Sequence, residues 1–192
     1  MRIFTVGHSN LEFEDFVEMI KAAGVASIVD VRKLPGSRKY PWFNDDYLAE
    51  HLPTCGITYS RSEGLTGRRN VSHSVPFEVS GNWRNRSFHN YADHALGEEF
   101  SDAISQLRAN AAETPTAIMC AEAVWWRCHR RIIAATSSPT VTRLATLWAW
   151  VQPGRRRARQ RSTTAQSSAT TFSCATPSGA SAYTSTDPIP KL

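Results

Sequence analysis

The chain of 192 residues is 41% hydrophobic and 20% charged, which suits one soluble domain with a core. No apolar run approaches the length of a membrane span, and the opening MRIFTVGHSN turns polar too early for a signal peptide, so we predict a cytoplasmic protein without a membrane anchor. The net charge of +5 is uneven: residues 1–134 hold 15 Lys and Arg against 16 Asp and Glu, whereas residues 135–192 hold 7 basic residues and the single acid Asp187. The first part is therefore not a basic protein.

The first 134 residues alternate short apolar segments with helical patterns. RIFTV predicts a first strand, and SNLEFEDFVEMIKAAG predicts a helix with a capping box of Ser9 and Glu12 and an end at Gly24. ASIVDVR predicts a buried second strand, NDDYLAEHLPTCG a shorter helix weakened by Pro53, and ITYS a third strand.

The chain then continues through a long loop that contains GLTGRR and GNWRN to a predicted helix from about Ser87 to Asn110. TAIMC predicts a fourth strand, and CHRRIIA begins another helix. Strands that alternate with helices are typical of an α/β fold. We therefore predict a single α/β domain, with a mostly parallel sheet covered by helices on both faces.

Residues 135–192 differ in composition from the rest of the chain, because Arg, Ser, Thr and Ala dominate and Glu is absent. This composition predicts a low-complexity, disordered tail after a domain of residues 1–134. One interpretation is a basic tail that binds nucleic acid, and the other is a segment without an evolved function. We favour the second.

Six motifs occur in the order in which one known family carries them. They are TVGHSN, DVRKLPGSRKYPWFN, GITY, GLTGRR, WRNRSFHNYADHALGEEF and MCAEAVWWRCHRRIIA. Through these motifs, the chain from Phe4 to Ala134 resembles the domain-of-unknown-function family 488. The resemblance implies a compact α/β domain with a cluster of polar motifs at the strand ends.

The resemblance stops near Ala134, where the family pattern continues with a turn and a last strand that ends in His-Ile. AATSSPTVTRLATL can be back-translated and read one base out of register as ADFLVADGDTVGHI, which is what the family pattern predicts there. We therefore expect a frameshift near Ala134, in the gene or in its sequencing.

Polar residues follow the predicted strands, where ligands sit in parallel α/β sheets. Those after the first two strands are His8, Ser9, Asp30, Arg32, Arg38 and Lys39, and those around the fourth strand and the next helix are Cys120, Glu122, Cys128, His129 and Arg130. In GLTGRR, Arg68 and Arg69 stand beside two glycines, a composition that suits binding of phosphate or carboxylate. The structural alternative for Asp30 is a turn cap or an ion pair with Arg32.

Three hypotheses compete for the stretch from residue 117 to residue 131. The first is a zinc or iron site of Cys120, Glu122, Cys128 and His129, although this spacing is not a familiar chelate and adjacent residues on a helix point about 100° apart. The second is a Cys128 nucleophile activated at a helix N-terminus, with a faint rhodanese-like arrangement. The third is an anion pocket of Arg130 and the helix N-terminus, in which Glu122 orients the ligand or acts as general acid or base.

We favour the third hypothesis and predict an enzyme that acts on a phosphate-bearing substrate, such as a nucleotide or nucleic acid. A non-catalytic module that binds an anion or a partner is the alternative, and no cofactor is identified. The catalytic candidates are Glu122, Cys128, His129 and Asp30, and the substrate-binding candidates are His8, Ser9, Arg32, Arg38, Arg68, Arg69 and Arg130.

Overall fold

The structure, a computed structural model, describes residues 3–137. The predicted tail and the segment assigned to a frameshift therefore lie outside the described residues, apart from residues 135–137. Residues 135 and 136 belong to the last described helix, so this helix passes the predicted domain boundary at Ala134.

Four strands form one sheet in which all neighbours are parallel, in the order β1-β4-β2-β3. The strands are β1 (Ile3–Gly7), β2 (Ser27–Asp30), β3 (Thr58–Arg61) and β4 (Thr116–Cys120). Each pair of consecutive strands is joined by a crossover that contains at least one helix, as parallel pairing requires. The predicted parallel sheet is confirmed.

Five α-helices cover the two faces of the sheet: α1 (Phe13–Ala22), α2 (Asp45–Thr54), α3 (Arg86–His94), α4 (Glu98–Glu113) and α5 (Arg130–Thr136). Helices α1 and α2 pack against one set of strand residues, which includes Phe4, Val6 and Ile28. Helices α3, α4 and α5 pack against the alternate set, which includes Ile3, Val29 and Ile118. Because successive strand residues point to opposite faces, the two cores confirm the predicted helix layers on both sides.

The predicted capping box of Ser9 and Glu12 is wrong. Helix α1 begins at Phe13, its N-cap is Glu12, and no side chain caps it. Ser9 has a φ of 48°, and its N–H donates to the carbonyl of Ala121 at 3.1 Å. The loop after β1 is therefore fastened to the loop after β4, and Ser9 does not reach the helix.

The single helix predicted from about Ser87 to Asn110 is also wrong, because it is two helices with a break at residues 95–97. The prediction assigned Leu96 to the apolar face, whereas this side chain is 64% exposed. Without Leu96 the buried face has a gap between Tyr91 and Phe100, and Gly97 in extended backbone starts α4. In the described part of the chain, no helix has the length and apolar character needed to cross a membrane.

The carboxyl ends of the strands lie at one edge of the sheet. Gly7 of β1 pairs with Cys120 of β4, and Asp30 of β2 pairs with Met119 of β4 and with Arg61 of β3. Each polar segment that follows a strand therefore begins at this edge, as predicted for ligand sites in such sheets.

Candidate functional site

The first group of polar residues at this edge is a thiol cluster, which we define as Cys120, Cys128, His129 and Arg130. Cys120 ends β4, and Cys128 has extended backbone with φ −132° and ψ 173°. The expectation that Cys128 opens the helix is wrong, because α5 begins at Arg130 and His129 is its N-cap. Cys128 and His129 therefore precede the helix, and the divergence of about 100° between adjacent helical side chains does not apply to them. The Sγ atoms of both cysteines and a ring nitrogen of His129 lie within 4.8 Å of one another.

Arg130 is the cation of the thiol cluster and is only 1% exposed. Its Nε donates to Cys128 Sγ at 3.0 Å, its Nη1 donates to Thr5 Oγ1 at 3.1 Å, and its Nη2 donates to the carbonyl oxygen of Glu122. Sequence reasoning missed Thr5, although it is the one polar side chain within the apolar run IFTV.

The loop after β4 lies across the end of β1. A Cβ atom on Gly7 would lie 2.0 Å from the carbonyl oxygen of Glu122, so only glycine fits at this position of TVGHSN. Glu122 is an exposed residue, and its backbone carbonyl is the group that contacts Arg130. Its carboxylate is not among the donor atoms gathered around the two thiols. The predicted fourth metal ligand is therefore not brought to the cluster.

The pKa values of the two thiols are shifted in opposite directions. The hydrogen bond from the Cys120 thiol, followed by the charge and hydrogen bond of Arg130, lowers the pKa of Cys128 to about 6 against the opposing effect of burial. The same hydrogen bond, together with burial, raises the pKa of Cys120. The opposite directions of the two shifts favour the thiolate at Cys128 and the proton at Cys120. A hydrogen bond from the backbone N–H of Arg130, the first residue of α5, adds a smaller lowering effect on the pKa of Cys128.

His129 is held as a neutral ring. Its Nε2 lies 3.0 Å from the carbonyl oxygen of Val31, which can only accept, so Nε2 carries the proton and Nδ1 the lone pair. Burial is the main cause that lowers the pKa of His129 to about 4. A Cβ on Gly67 would lie 2.7 Å from Nδ1 of His129, which explains the second glycine of GLTGRR.

The arginines of GLTGRR differ in their surroundings. Arg69 donates to the carbonyls of Thr66 at 2.9 Å and Glu63 at 2.5 Å, and it pairs with the carboxylate of Glu99 at 3.3 Å. Its guanidinium therefore braces its own loop against α4. Arg68 is exposed, has a φ of 56°, and directly follows the glycine that contacts His129. Of the two, Arg68 is the one that faces solvent.

The second polar group is an ion-pair network, which we define as His8, Asp30, Arg32, Asp45 and Tyr59. Asp30 is fully buried, and Arg32 is 5% exposed. Arg32 Nε lies 2.9 Å from both carboxylate oxygens of Asp30, and Nη2 lies 2.5 Å from Oδ2. The hydroxyl of Tyr59 lies 2.9 Å from Asp30 Oδ2 and 2.7 Å from Asp45 Oδ1. The ion pair weighed as the structural alternative for Asp30 is thus present.

His8 completes the ion-pair network. Its Nδ1 donates to the carbonyl of Ser9 at 3.2 Å, and its Nε2 accepts from Arg32 Nη1 at 3.2 Å, because a guanidinium can only donate. Its ring stacks on Phe43 with the centroids 4.0 Å apart. Burial, then the charge of Arg32, lowers the pKa of His8 to about 3. His8 and His129 are therefore both neutral, but they carry their protons on different nitrogens.

Two of the remaining candidates are peripheral to these groups. The Ser9 hydroxyl donates to Asn10 Oδ1 at 3.3 Å. Arg38 is exposed in the loop after β2, and within residues 3–137 no hydrogen bond joins it to the thiol cluster or to the ion-pair network.

A metal ion could use three donors, namely Cys120, Cys128 and His129. A catalytic zinc site has three protein ligands, so the number is adequate. However, Arg130 Nε lies 3.0 Å from Cys128 Sγ, and a guanidinium at that distance occupies a lone pair of the sulfur and repels a second cation. The donor set therefore fits a metal poorly.

The fold and the site define an α/β domain with an arginine-paired thiol couple at the carboxyl edge of a parallel sheet. The chain belongs to the family described as Domain of unknown function DUF488, whose model matches residues 12–137. The comparisons with curated proteins and with solved structures returned no match. The family predicted from the sequence motifs is thus confirmed.

Proposed function

We propose that this domain is a thiol-dependent enzyme whose nucleophile is the thiolate of Cys128. The observation that carries the proposal is the set of groups around the buried Arg130. Its hydrogen-bond acceptors are a hydroxyl, a backbone carbonyl and Cys128 Sγ, and among the described residues no carboxylate lies within ion-pair distance of it.

A buried guanidinium is costly unless an anion compensates its charge. Neither the Thr5 hydroxyl nor the Glu122 carbonyl can ionise, so the acceptor that can become an anion is Cys128. A thiolate is the reactive form of cysteine, and a neighbouring arginine stabilises it. The arrangement therefore supports a nucleophile that is ionised near neutral pH.

Accessibility also supports this role. Cys128 is a half-buried residue in the loop that precedes α5, so it lies outside the two hydrophobic cores. When protonated, its thiol can donate to the carbonyl of Trp125 at 3.5 Å. This gives the resting thiol a partner inside the same loop, so ionisation requires no rearrangement of the chain.

Of the predicted phosphate-bearing substrate, we retain one feature, a negatively charged group. Arg32, Arg69 and Arg130 bind protein groups, which leaves Arg38 and Arg68 as the solvent-facing candidates for an anion. Arg68 follows Gly67, which packs on His129 of the thiol cluster. We therefore assign the recognition of a negatively charged substrate group to Arg68.

The pH dependence of Cys128 alkylation tests the nucleophile. The rate at which iodoacetamide labels Cys128 is measured by peptide mass spectrometry. We expect this rate to rise with pH with a midpoint near pH 6. Arg130→Gln should move the midpoint part of the way toward the ordinary value of about 8.5 and slow labelling at pH 7 a few-fold, because the thiolate loses its cation while the hydrogen bond from Cys120 remains.

Arg131→Gln is the matched control for this experiment. Arg131 is the next residue of the same helix, but its guanidinium lies over the Trp83 ring at 5.1 Å and makes no contact with the thiols. This variant should keep the wild-type midpoint. A wild-type midpoint near pH 8.5 would contradict the proposal even if Arg130→Gln failed to fold.

A further inference from the structure

We infer that Cys120 is the resolving thiol of a two-electron redox centre, which closes as a Cys120–Cys128 disulfide after Cys128 has reacted with a hydroperoxide. This inference rests on the proposed nucleophile, and it adds a second reacting residue and a substrate class. Cys120 and Cys128 come from different segments, the end of β4 and the loop before α5.

The geometry brings the sulfurs close without bonding them. They lie within 4.8 Å of each other, and both residues are free thiols of intermediate exposure. A disulfide needs an S–S separation of about 2 Å, so the sulfurs must approach each other by less than about 3 Å for the bond to form. The seven residues from 121 to 127 between them contain only a short 3-10 turn, Trp125–Arg127.

The chemistry balances with a hydroperoxide as the oxidant. The Cys128 thiolate attacks the terminal oxygen of ROOH, so the O–O bond breaks, RO⁻ leaves, and Cys128 becomes a sulfenic acid. Cys120 sulfur then attacks the Cys128 sulfur. The S–O bond breaks, and the departing hydroxide combines with the thiol proton of Cys120 as water. Two electrons pass from the two sulfurs to the peroxide oxygen.

The electrostatics fix the order of the two thiols. In the reduced pair, the charge and hydrogen bond of the Cys128 thiolate keep the proton on Cys120, which is why the pKa of Cys120 is raised. A sulfenic acid at Cys128 carries no full negative charge, so this cause disappears. The charge of Arg130, which favours the ionised form of Cys120, is then opposed by burial but no longer by a neighbouring thiolate. Cys128 thus reacts first, and its reaction activates Cys120.

The surroundings of Cys128 favour a small oxidant. Its sulfur lies 3.0 Å from Arg130 Nε, 3.5 Å from the Trp125 carbonyl and within 4.8 Å of the Cys120 sulfur. A hydroperoxide can reach such a half-buried atom with little displacement of the loop, whereas a peptide disulfide requires it to open.

Peptide mapping of the full chain tests the inference. Reduced protein is treated with one equivalent of hydrogen peroxide, blocked with N-ethylmaleimide and digested with trypsin. Cleavage after Arg127 separates the two cysteines, so the disulfide should join peptide 109–127 to peptide 128–130. In Cys120→Ser, dimedone should trap a sulfenic acid at Cys128, and in Cys128→Ser, oxidation of Cys120 should be at least tenfold slower.

Each other outcome overturns the inference in a distinguishable way. A Cys128 alkylation midpoint near pH 6 without a linked peptide pair would remove Cys120 from the mechanism and leave the nucleophile in place. If oxidised glutathione forms the disulfide and hydrogen peroxide does not, a hydroperoxide is not the oxidant. One equivalent of metal, found by elemental analysis of protein purified without chelator and lost in both cysteine variants, would overturn the redox centre.

Discussion

The ion-pair network and the thiol cluster stand side by side at the same edge of the sheet, and each contains a buried arginine and a neutral histidine. They differ in the group that compensates the positive charge of the arginine. Arg32 meets the carboxylate of Asp30 through two nitrogens, whereas Arg130 meets a thiol through one. A carboxylic acid ordinarily titrates at about pH 4 and a thiol at about pH 8.5, so of the two kinds of anion only the thiol changes its charge close to neutrality. The first group is therefore suited to holding the fold and the second to reacting.

Acid unfolding should give the largest effect, because both regions hold a histidine in its neutral form. The pKa of His8 is lowered to about 3 and that of His129 to about 4, below the ordinary 6.5 of the unfolded chain. Below pH 6.5 the unfolded state binds more protons. The stability contributed by the neutral histidines is therefore complete above this pH and falls, by up to about 1.4 kcal/mol per pH unit for each histidine, between pH 6.5 and the folded-state pKa, below which the loss levels off.

Urea unfolding between pH 7 and about pH 3 measures this slope. His8→Asn and His129→Gln, which keep a donor near the position of the protonated nitrogen, should each remove about half of it. The His8 contribution should extend about one pH unit lower. A slope that neither variant changes would show that other groups govern the acid response.

Substitution of the two arginines should give the next largest effect and separates the regions directly. Arg32→Gln leaves the carboxylate of Asp30 buried without its cation, and we expect a loss of about 3–5 kcal/mol in the free energy of unfolding. Arg130→Gln should cost only about 1–3 kcal/mol, because Cys128 can take up a proton and remain as a neutral, hydrogen-bonded thiol.

Urea titrations at pH 7 compare the two variants under the same conditions. The difference should shrink at pH 9, where the thiol of Cys128 in Arg130→Gln is driven to ionise without its cation. Equal losses at pH 7 would mean that the charge of Arg130 is compensated by a group that cannot be neutralised.

The fold could be predicted further than the site. TAIMC matches β4 at both ends, because it is a short apolar run in which all residues but the last are buried. The helix break at residues 95–97 could not be predicted, because Leu96 fits an apolar face by spacing and is nevertheless exposed. Spacing reports which face a residue could occupy, and the packing of α4 against the rest decides whether it does.

The convergence of the polar segments was predictable because parallel strands end at a common edge. The partners of each side chain were not, because they come from distant segments. Arg130 bonds to Thr5, 125 positions away, and His129 bonds to Val31, 98 positions away. An arginine in a sequence therefore indicates a position that can bind an anion. Whether the anion belongs to a ligand or to the protein depends on contacts that no local pattern contains.

The smallest expected effect distinguishes the two solvent-facing arginines. Arg68 adjoins the thiol cluster through Gly67, whereas Arg38 is exposed in the loop after β2. The ratio of Cys128 alkylation rates with iodoacetate and iodoacetamide reports the local potential, since only the first reagent is an anion. Arg68→Gln should lower this ratio roughly twofold at low salt, the size expected for one screened surface charge. Arg38→Gln should leave it unchanged, and added salt should erase the difference. If both variants lower the ratio equally, Arg68 has no special place beside the nucleophile, and the assignment of the anionic substrate group to it is wrong.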